Sequence, residues 1–147
     1  TAMTLAIYKD APSDLTRRYD EVISCLEQLK SDGYRLAICT NKPFEIAQNV
    51  VSELGMSFYF ETLVGPDSLS VREPDPAPLK YCLEVLEAGT ALYVGDSEID
   101  YQTAQNAQID FALFTGGYRS EELSYFKNAT LFDNFKELPN IVKKHFD

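Results

Sequence analysis

Short apolar runs alternate with amphipathic stretches along the chain, and their periods separate strands from helices. Between Asp20 and Lys30, Val22, Leu26 and Leu29 share one face at helical spacing, and Gly33 is placed to end that helix. Residues 34 to 39, Tyr-Arg-Leu-Ala-Ile-Cys, then read as a strand. Asn41 can cap a second helix, with Pro43 in its first turn and Gly55 after Leu54 as the stop. Residues 61 to 64 are a short strand candidate. Pro74, Pro76 and Pro78 are expected to hold the next segment extended, before Leu79, Cys82, Leu83 and Leu86 form another helical stripe. Ala91 to Val94 reads as a buried strand, followed by Gly95-Asp96-Ser97 and a helix over about 98 to 107. Phe111 to Phe114 is the next strand, Gly116-Gly117 a turn, 129 to 131 a short edge strand and 135 to 146 a last helix with Pro139 near its beginning. Strand, helix, strand in repeated order predicts an α/β fold, a three-layer Rossmann-like parallel sheet with helices on both faces.

Composition narrows the partners. The 147 residues, 45% hydrophobic with 7 Gly and 7 Pro, suffice for one core and exclude a collagen-like or disordered chain. Thirteen basic against 23 acidic residues give a net charge of -10, which disfavours nucleic acid and anionic membrane surfaces as partners. The single histidine, His145, argues against His-rich zinc sites and most catalytic triads. Cys25, Cys39 and Cys82 are odd in number and lie in apolar stretches, so buried free thiols and a reducing, cytoplasmic setting are expected. No apolar run approaches the roughly 20 residues of a membrane span, and no signal-peptide pattern opens the chain. The start on Thr1 hints at a processed, shortened or expression-derived beginning.

In such a sheet ligands bind beyond the carboxyl ends of the strands, which directs attention to three places. At Cys39-Thr40-Asn41-Lys42-Pro43 a hydroxyl follows a strand and precedes a helix N-terminus, where Thr40 Oγ1 and free backbone N–H groups could hold a phosphate; simple capping is the alternative. At Gly95-Asp96-Ser97-Glu98-Ile99-Asp100 two carboxylates share one side of a helix start, a donor set that suits Mg²⁺; a capping box with Ser97 or Asp96 as cap is the alternative. At Val71-Arg72-Glu73-Pro74-Asp75-Pro76-Ala77-Pro78 a proline-rich loop reads by itself as a rigid connector.

Order and spacing give these places a common meaning. Ile-Cys-Thr-Asn-Lys-Pro at 38 to 43, Arg-Glu-Pro-Asp-Pro-Ala-Pro-Leu at 72 to 79 and Tyr-Val-Gly-Asp-Ser-Glu-Ile-Asp at 93 to 100 resemble motifs two, three and four of the haloacid dehalogenase (HAD) superfamily, and within it the phosphoglycolate phosphatases. The similarity continues through Thr103-Ala104 and Gly116-Gly117-Tyr118-Arg119. The resemblance implies a phosphomonoesterase in which an aspartate attacks the phosphorus, and an aspartyl-phosphate is hydrolysed with Mg²⁺ bound. It further implies that Thr40 and the Asn41 backbone bind the phosphoryl group, that Asp96 serves Mg²⁺ directly, and that Asp100 supports the metal's waters or a neighbouring ligand. The substrate would be a small phosphorylated metabolite such as phosphoglycolate.

Two departures stand against full activity. The family's first motif, an apolar strand ending in Asp-x-Asp-Gly-Thr, does not occur; Tyr8-Lys9-Asp10-Ala11-Pro12 offers one carboxylate without a second two residues later. No catalytic aspartate is therefore assigned. Glu73 stands where motif three has a lysine. At an effective dielectric of about 20, two unit charges about 4 Å apart interact by roughly 4 kcal/mol, so this reversal turns attraction for phosphate into repulsion.

The resemblance thus covers a HAD-like core from 19 to 147, incomplete at its N-terminus, behind a segment 1 to 18 expected to be a cap-helix remnant and linker. The missing motif-one strand lies mid-sheet in the family, so its slot must be filled. Residues 4 to 8 are expected to stay helical, with a substitute central strand as the alternative, and a homodimer or partner strand as another way to cover the gap. Function divides the same way: a phosphatase core inactive by itself, or a non-catalytic pseudoenzyme that binds phosphate or Mg²⁺ or serves as an interaction module.

Overall fold

Apolar residues buried on two faces and joined by amphipathic helices leave a chain few arrangements other than a central parallel sheet. A computed structural model describes residues 3–7, 19–40, 45, 48, 49, 52, 57–65, 71, 74–87, 90–116 and 120–146. Its strands are β1 (Met3–Ile7), β2 (Arg35–Cys39), β3 (Thr62–Val64), β4 (Thr90–Gly95), β5 (Asp110–Phe114) and β6 (Ala129–Phe132). All pair in parallel, in the order β3-β2-β1-β4-β5-β6. The helices described in full are α1 (Tyr19–Ser31), α2 (Ala77–Val85), α3 (Glu98–Ala107) and α4 (Leu138–Phe146). Glu45, Gln48, Asn49 and Ser52 are helical and exposed, which places them on an outer helix face between β2 and β3.

Alternation along each strand assigns the faces. Leu36, Leu92, Val94, Ala112 and Phe114 pack with Val22, Cys25, Leu26 and Leu29 of α1 and with Leu138 and Val142 of α4. The intervening Cys39, Tyr93, Phe111 and Leu113 turn the other way, toward Leu79 and Tyr101, Ala104 and Ala107 of α3. Ala37 and Val64 complete that second face with Cys82 and Leu86. All three cysteines are buried free thiols, as the spacing predicts.

β1 corrects an expectation. Residues 3–7 are not the end of a helix but the central strand, with Leu5 opposite Leu36 on one side and Leu92 on the other. The physical reason is the one that made the slot a difficulty: an empty centre would leave two rows of backbone donors and acceptors unpaired, at about 1–3 kcal/mol for each buried group. This part of the supposed linker segment is therefore in the sheet, and no central gap is left for a partner strand. The remainder of 8–18 lies outside the described residues.

The proline-rich loop also departs from the fully extended form. α2 begins at Ala77 with Pro76 as N-cap and Pro78 in its first turn, where a missing N–H costs nothing. Asp75 Oδ1 accepts the Ala77 N–H at 2.8 Å, and Asn106 Nδ2 donates to the Pro74 carbonyl at 2.9 Å, pinning the loop to α3.

Both α1 and α3 end in the same left-handed closure. After α1, Gly33 at φ +92° donates to Lys30 and Tyr34 donates to Leu29; after α3, Gln108 at φ +60° and Ile109 repeat the pattern on Gln105 and Ala104. At the amino end of β2, Arg35 grips the Glu61 carboxylate through Nε and Nη2 and donates from Nη1 to the Leu86 carbonyl. The hydrogen bond from Arg35 holds the Glu61 carboxyl below its ordinary range.

Two predictions follow from these features. No atom outside its own backbone lies within 4 Å of a Cβ added at Gly33, so Gly33→Ala is expected to cost about 1 kcal/mol from backbone strain alone, whereas Gln108→Gly gains roughly 0.5 kcal/mol, both read by urea denaturation. Because the folded pKa of Glu61 is depressed, its contribution is present above the unfolded carboxylate range and is lost as pH falls through the folded value. Glu61→Gln should therefore lower the melting temperature at pH 7 and leave it nearly unchanged at pH 2.5.

Candidate functional site

Among the described residues, the buried polar and charged side chains are Thr40, Asp96, Ser97, Asp100 and Thr103. Four of them lie at the carboxyl ends of β2 and β4, and Thr103 follows one turn later in α3. Burying polar groups is costly unless they are bonded, so their concentration at one end of the sheet marks where the fold spends stability on chemistry. The two strands flank β1, which sets their ends roughly 10 Å apart.

The β4 end is the better defined. Ser97, in extended backbone, is the N-cap of α3, and a reciprocal capping box joins it to Asp100. Asp100 Oδ2 accepts from the Asp96 N–H at 3.0 Å, the Ser97 N–H at 3.2 Å and the Ser97 hydroxyl at 3.0 Å. The Asp100 N–H donates to Ser97 Oγ at 3.3 Å. Gly95 makes this closure possible: a Cβ there would lie 2.5 Å from Asp100 Cβ and 2.6 Å from Oδ2. Capping and ligand binding were alternatives in the sequence, and the structure shows the capping box.

Capping uses only one of the two Asp100 oxygens. Among the described residues Oδ1 has no hydrogen-bond partner, in a buried side chain with no exposed surface. An acceptor so placed fits a cation, and Asp96 and Asp100 are four residues apart at the same helix start; Mg²⁺ takes one or two carboxylates and keeps waters in its remaining positions. Among the described residues no group of three or more His, Cys, Asp or Glu side chains that could hold a metal ion gathers.

At the β2 end, Thr40 is buried and its N–H donates to the Val64 carbonyl at 2.9 Å, which ties the residue after β2 to the end of β3. Asn41, its proposed phosphate-binding neighbour, lies outside the described residues, as do Arg72 and Glu73. Pro74, next to Glu73, is tied to α3 by Asn106. Glu98 anchors a third loop, accepting the Ser120 N–H at 3.1 Å. Burial pushes the Glu98 carboxyl up, but hydrogen bonds from its own backbone, from Ser120 and from Glu121 outweigh this, and the net direction is down.

Gly95, Glu98 and Asn106 were not singled out from the sequence as site-building residues. Gly95 carried a signal, a glycine between a buried strand and a carboxylate; Glu98 and Asn106 act across 22 and 32 residues and left no local pattern. His145 is remote from the site: Nε2 lies 2.7 Å from Asp110 Oδ2, at the amino end of β5. A cavity of about 400 Å³ between α1 and α4, lined in part by Cys25, Asp32, Lys136 and Lys143, contains none of these site residues. Burial pushes the Cys25 thiol up to about 12, which makes it unreactive.

Known proteins resemble this chain in sequence and fold. Residues 1–114 match the family model of haloacid dehalogenase-like hydrolases. A phosphoglycolate phosphatase of Cereibacter sphaeroides is 40% identical over 136 residues, 92% of this chain and 62% of that protein. One of Rhodobacter capsulatus is 42% identical over 125 residues, 85% of this chain and 57% of that protein. The chain thus spans about three fifths of the length of these relatives. A crystal structure described as a predicted phosphoglycolate phosphatase, from Haemophilus somnus, superposes with a TM-score of 0.78 at 32% identity, covering 83% of this chain and 56% of the other. A HAD-superfamily hydrolase from Ehrlichia chaffeensis shares the fold at a TM-score of 0.74 with 16% identity, covering 99% of this chain and 97% of that one.

The capping box predicts a graded mutational series. Ser97→Ala should cost about 1 kcal/mol, the usual loss of a cap. Asp100→Ala should cost about 3 kcal/mol or more, because it strands three donors at once. Gly95→Ala should cost at least as much as Ser97→Ala, through overlap with Asp100. Equal, small effects in chemical denaturation would contradict the geometry.

Proposed function

Because this chain belongs to the haloacid dehalogenase-like hydrolases, we propose that it is a phosphoglycolate phosphatase-like core that binds phosphate and Mg²⁺ but, as these 147 residues stand, does not turn over a phosphomonoester. The observation that carries the reading is the buried Asp100 carboxylate: one oxygen is spent on the cap, where it accepts the Asp96 N–H among others, and the other has no hydrogen-bond partner among the described residues. Asp96 and Asp100 would hold Mg²⁺, which when bound supplies positive charge to offset a phosphoryl group. Thr40, and the Asn41 backbone next to it, would hold the phosphate oxygens, oriented by the Thr40 to Val64 bond.

Two features support the absence of turnover. No Asp-x-Asp pair occurs anywhere in the sequence, so an aspartate nucleophile with its acid/base neighbour is not supplied. The acidic Glu73, in place of a lysine, opposes the charge that phosphoryl transfer must stabilise. A small phosphorylated metabolite such as phosphoglycolate is the proposed ligand class, and the relatives named above supply that chemistry. Residues 3–7 form the central strand of the same sheet as the core from 19 to 147. The reduced thiols fit a reducing, cytoplasmic setting, and among the described residues no helix is long and apolar enough to cross a membrane.

The test is a Mg²⁺-dependent phosphatase assay of the purified chain with phosphoglycolate and a generic aryl phosphate. No release of phosphate above the buffer rate is expected. Turnover that disappears on Asp10→Asn would overturn the proposal and show that the N-terminal segment supplies a nucleophile.

A further inference from the structure

We infer that Tyr93 is a positioning residue whose hydroxyl locks the Thr40 loop to the Asp96 loop, so that the two halves of the site move as one unit. Tyr93 has no exposed surface, and its ring packs edge-on against Phe111 at 6.0 Å. The hydroxyl donates to the Cys39 carbonyl at 3.1 Å, a bond between residues 54 apart in sequence and on strands separated by β1. Cys39 immediately precedes Thr40, and Tyr93 stands three residues before Asp96. One bond therefore lies beneath both loops.

Phenylalanine would fill the same apolar space, and a buried hydroxyl costs free energy unless it is bonded. The ladder between β2 and β1 extends to Ile38, opposite Ile7, so Cys39 is the first residue beyond it. That is where β2 would otherwise begin to part from the sheet centre. The Tyr93 hydroxyl ties this departing backbone to β4, on the far side of β1. Thr40 then stays aligned with Val64 on one side, while Asp96 and Ser97 stay aligned with Asp100 on the other. As a device for ligand binding, this coupling rests on the function proposed above; as a mechanical link it does not.

The test is native-state hydrogen exchange by NMR on the full chain, wild type against Tyr93→Phe. The Thr40 and Ser97 amides are both hydrogen-bonded, so each reports opening of its own loop. Loss of the hydroxyl is expected to accelerate exchange at Thr40 and Ser97 at least tenfold more than at Leu113 in β5. Uniform acceleration at all three, or none at Thr40, would overturn the inference, because a merely stabilising residue changes protection everywhere. In the wild type the Tyr93 hydroxyl proton should itself exchange slowly enough to be observed; rapid exchange there would overturn the inference without any variant. Inorganic phosphate titrated into both proteins with Mg²⁺ present separates the two proposals. Selective opening with phosphate binding weakened severalfold supports both, and selective opening with no binding by either protein sustains the link and removes the ligand reading. Equal binding by both proteins would overturn the positioning role.

Discussion

The closure of Gly95, Asp96, Ser97 and Asp100 is the constraint on which the rest of the site depends. One buried carboxylate oxygen gathers three donors, two from the backbone and one from the cap, and this turns the end of β4 into the first turn of α3. Only a residue without a Cβ permits the approach, since any side chain at 95 would overlap Asp100. The closure ends a strand and starts a helix. It also fixes a second carboxylate oxygen in a buried place where no other described residue satisfies it. Local stability and the capacity to bind a cation thus come from the same side chain.

A parallel sheet makes such a residue useful because every strand delivers its carboxyl end to the same side. β2 brings Thr40 and β4 brings Asp96, with β1 between them. Opposed helix layers, α1 and α4 on one face and α2 and α3 on the other, hold the strands from both sides. Features at the amino ends, such as Arg35 with Glu61 and Asp110 with His145, serve cohesion and stay away from the chemistry. Polar burial is thereby segregated along the strand direction, apolar packing across it.

Much of this was legible in the residues because it rests on short-range pattern. The 3.6-residue stripe of Val22, Leu26 and Leu29 and the buried strand through Leu92, Tyr93 and Val94 are imposed by burial, and both appear as expected; the alternation of that strand between the two faces is seen in the structure. Glycine after a helix and serine before one carry their own signals, seen at Gly33 and Ser97. Residues 4 to 8 are expected to stay helical as a cap remnant, with a central strand as the alternative, and the strand at Met3–Ile7 follows the alternative because the central slot must be filled. The start of α2 at Ala77 depended on one bond to Asp75, and the Tyr93 to Cys39 link on a distance 54 residues long. The long-range contact leaves no trace in sequence spacing, whereas Asp75 two residues before Ala77 and beside a proline-bearing first turn is itself a helix-start pattern. Thr40, Asp96 and Asp100 were singled out from motif order, which places them at strand ends; that Asp100 serves as both cap and candidate ligand required coordinates.

Chemical-shift mapping of the isotope-labelled chain, titrated with Mg²⁺ in the presence of inorganic phosphate, tests the account most directly. Saturable shifts confined to Thr40, Asn41 and residues 95–101 are predicted, reached at millimolar ligand. Shifts that do not saturate, or that centre on the cavity between α1 and α4, would contradict the assignment of ligand binding to the carboxyl end of the sheet.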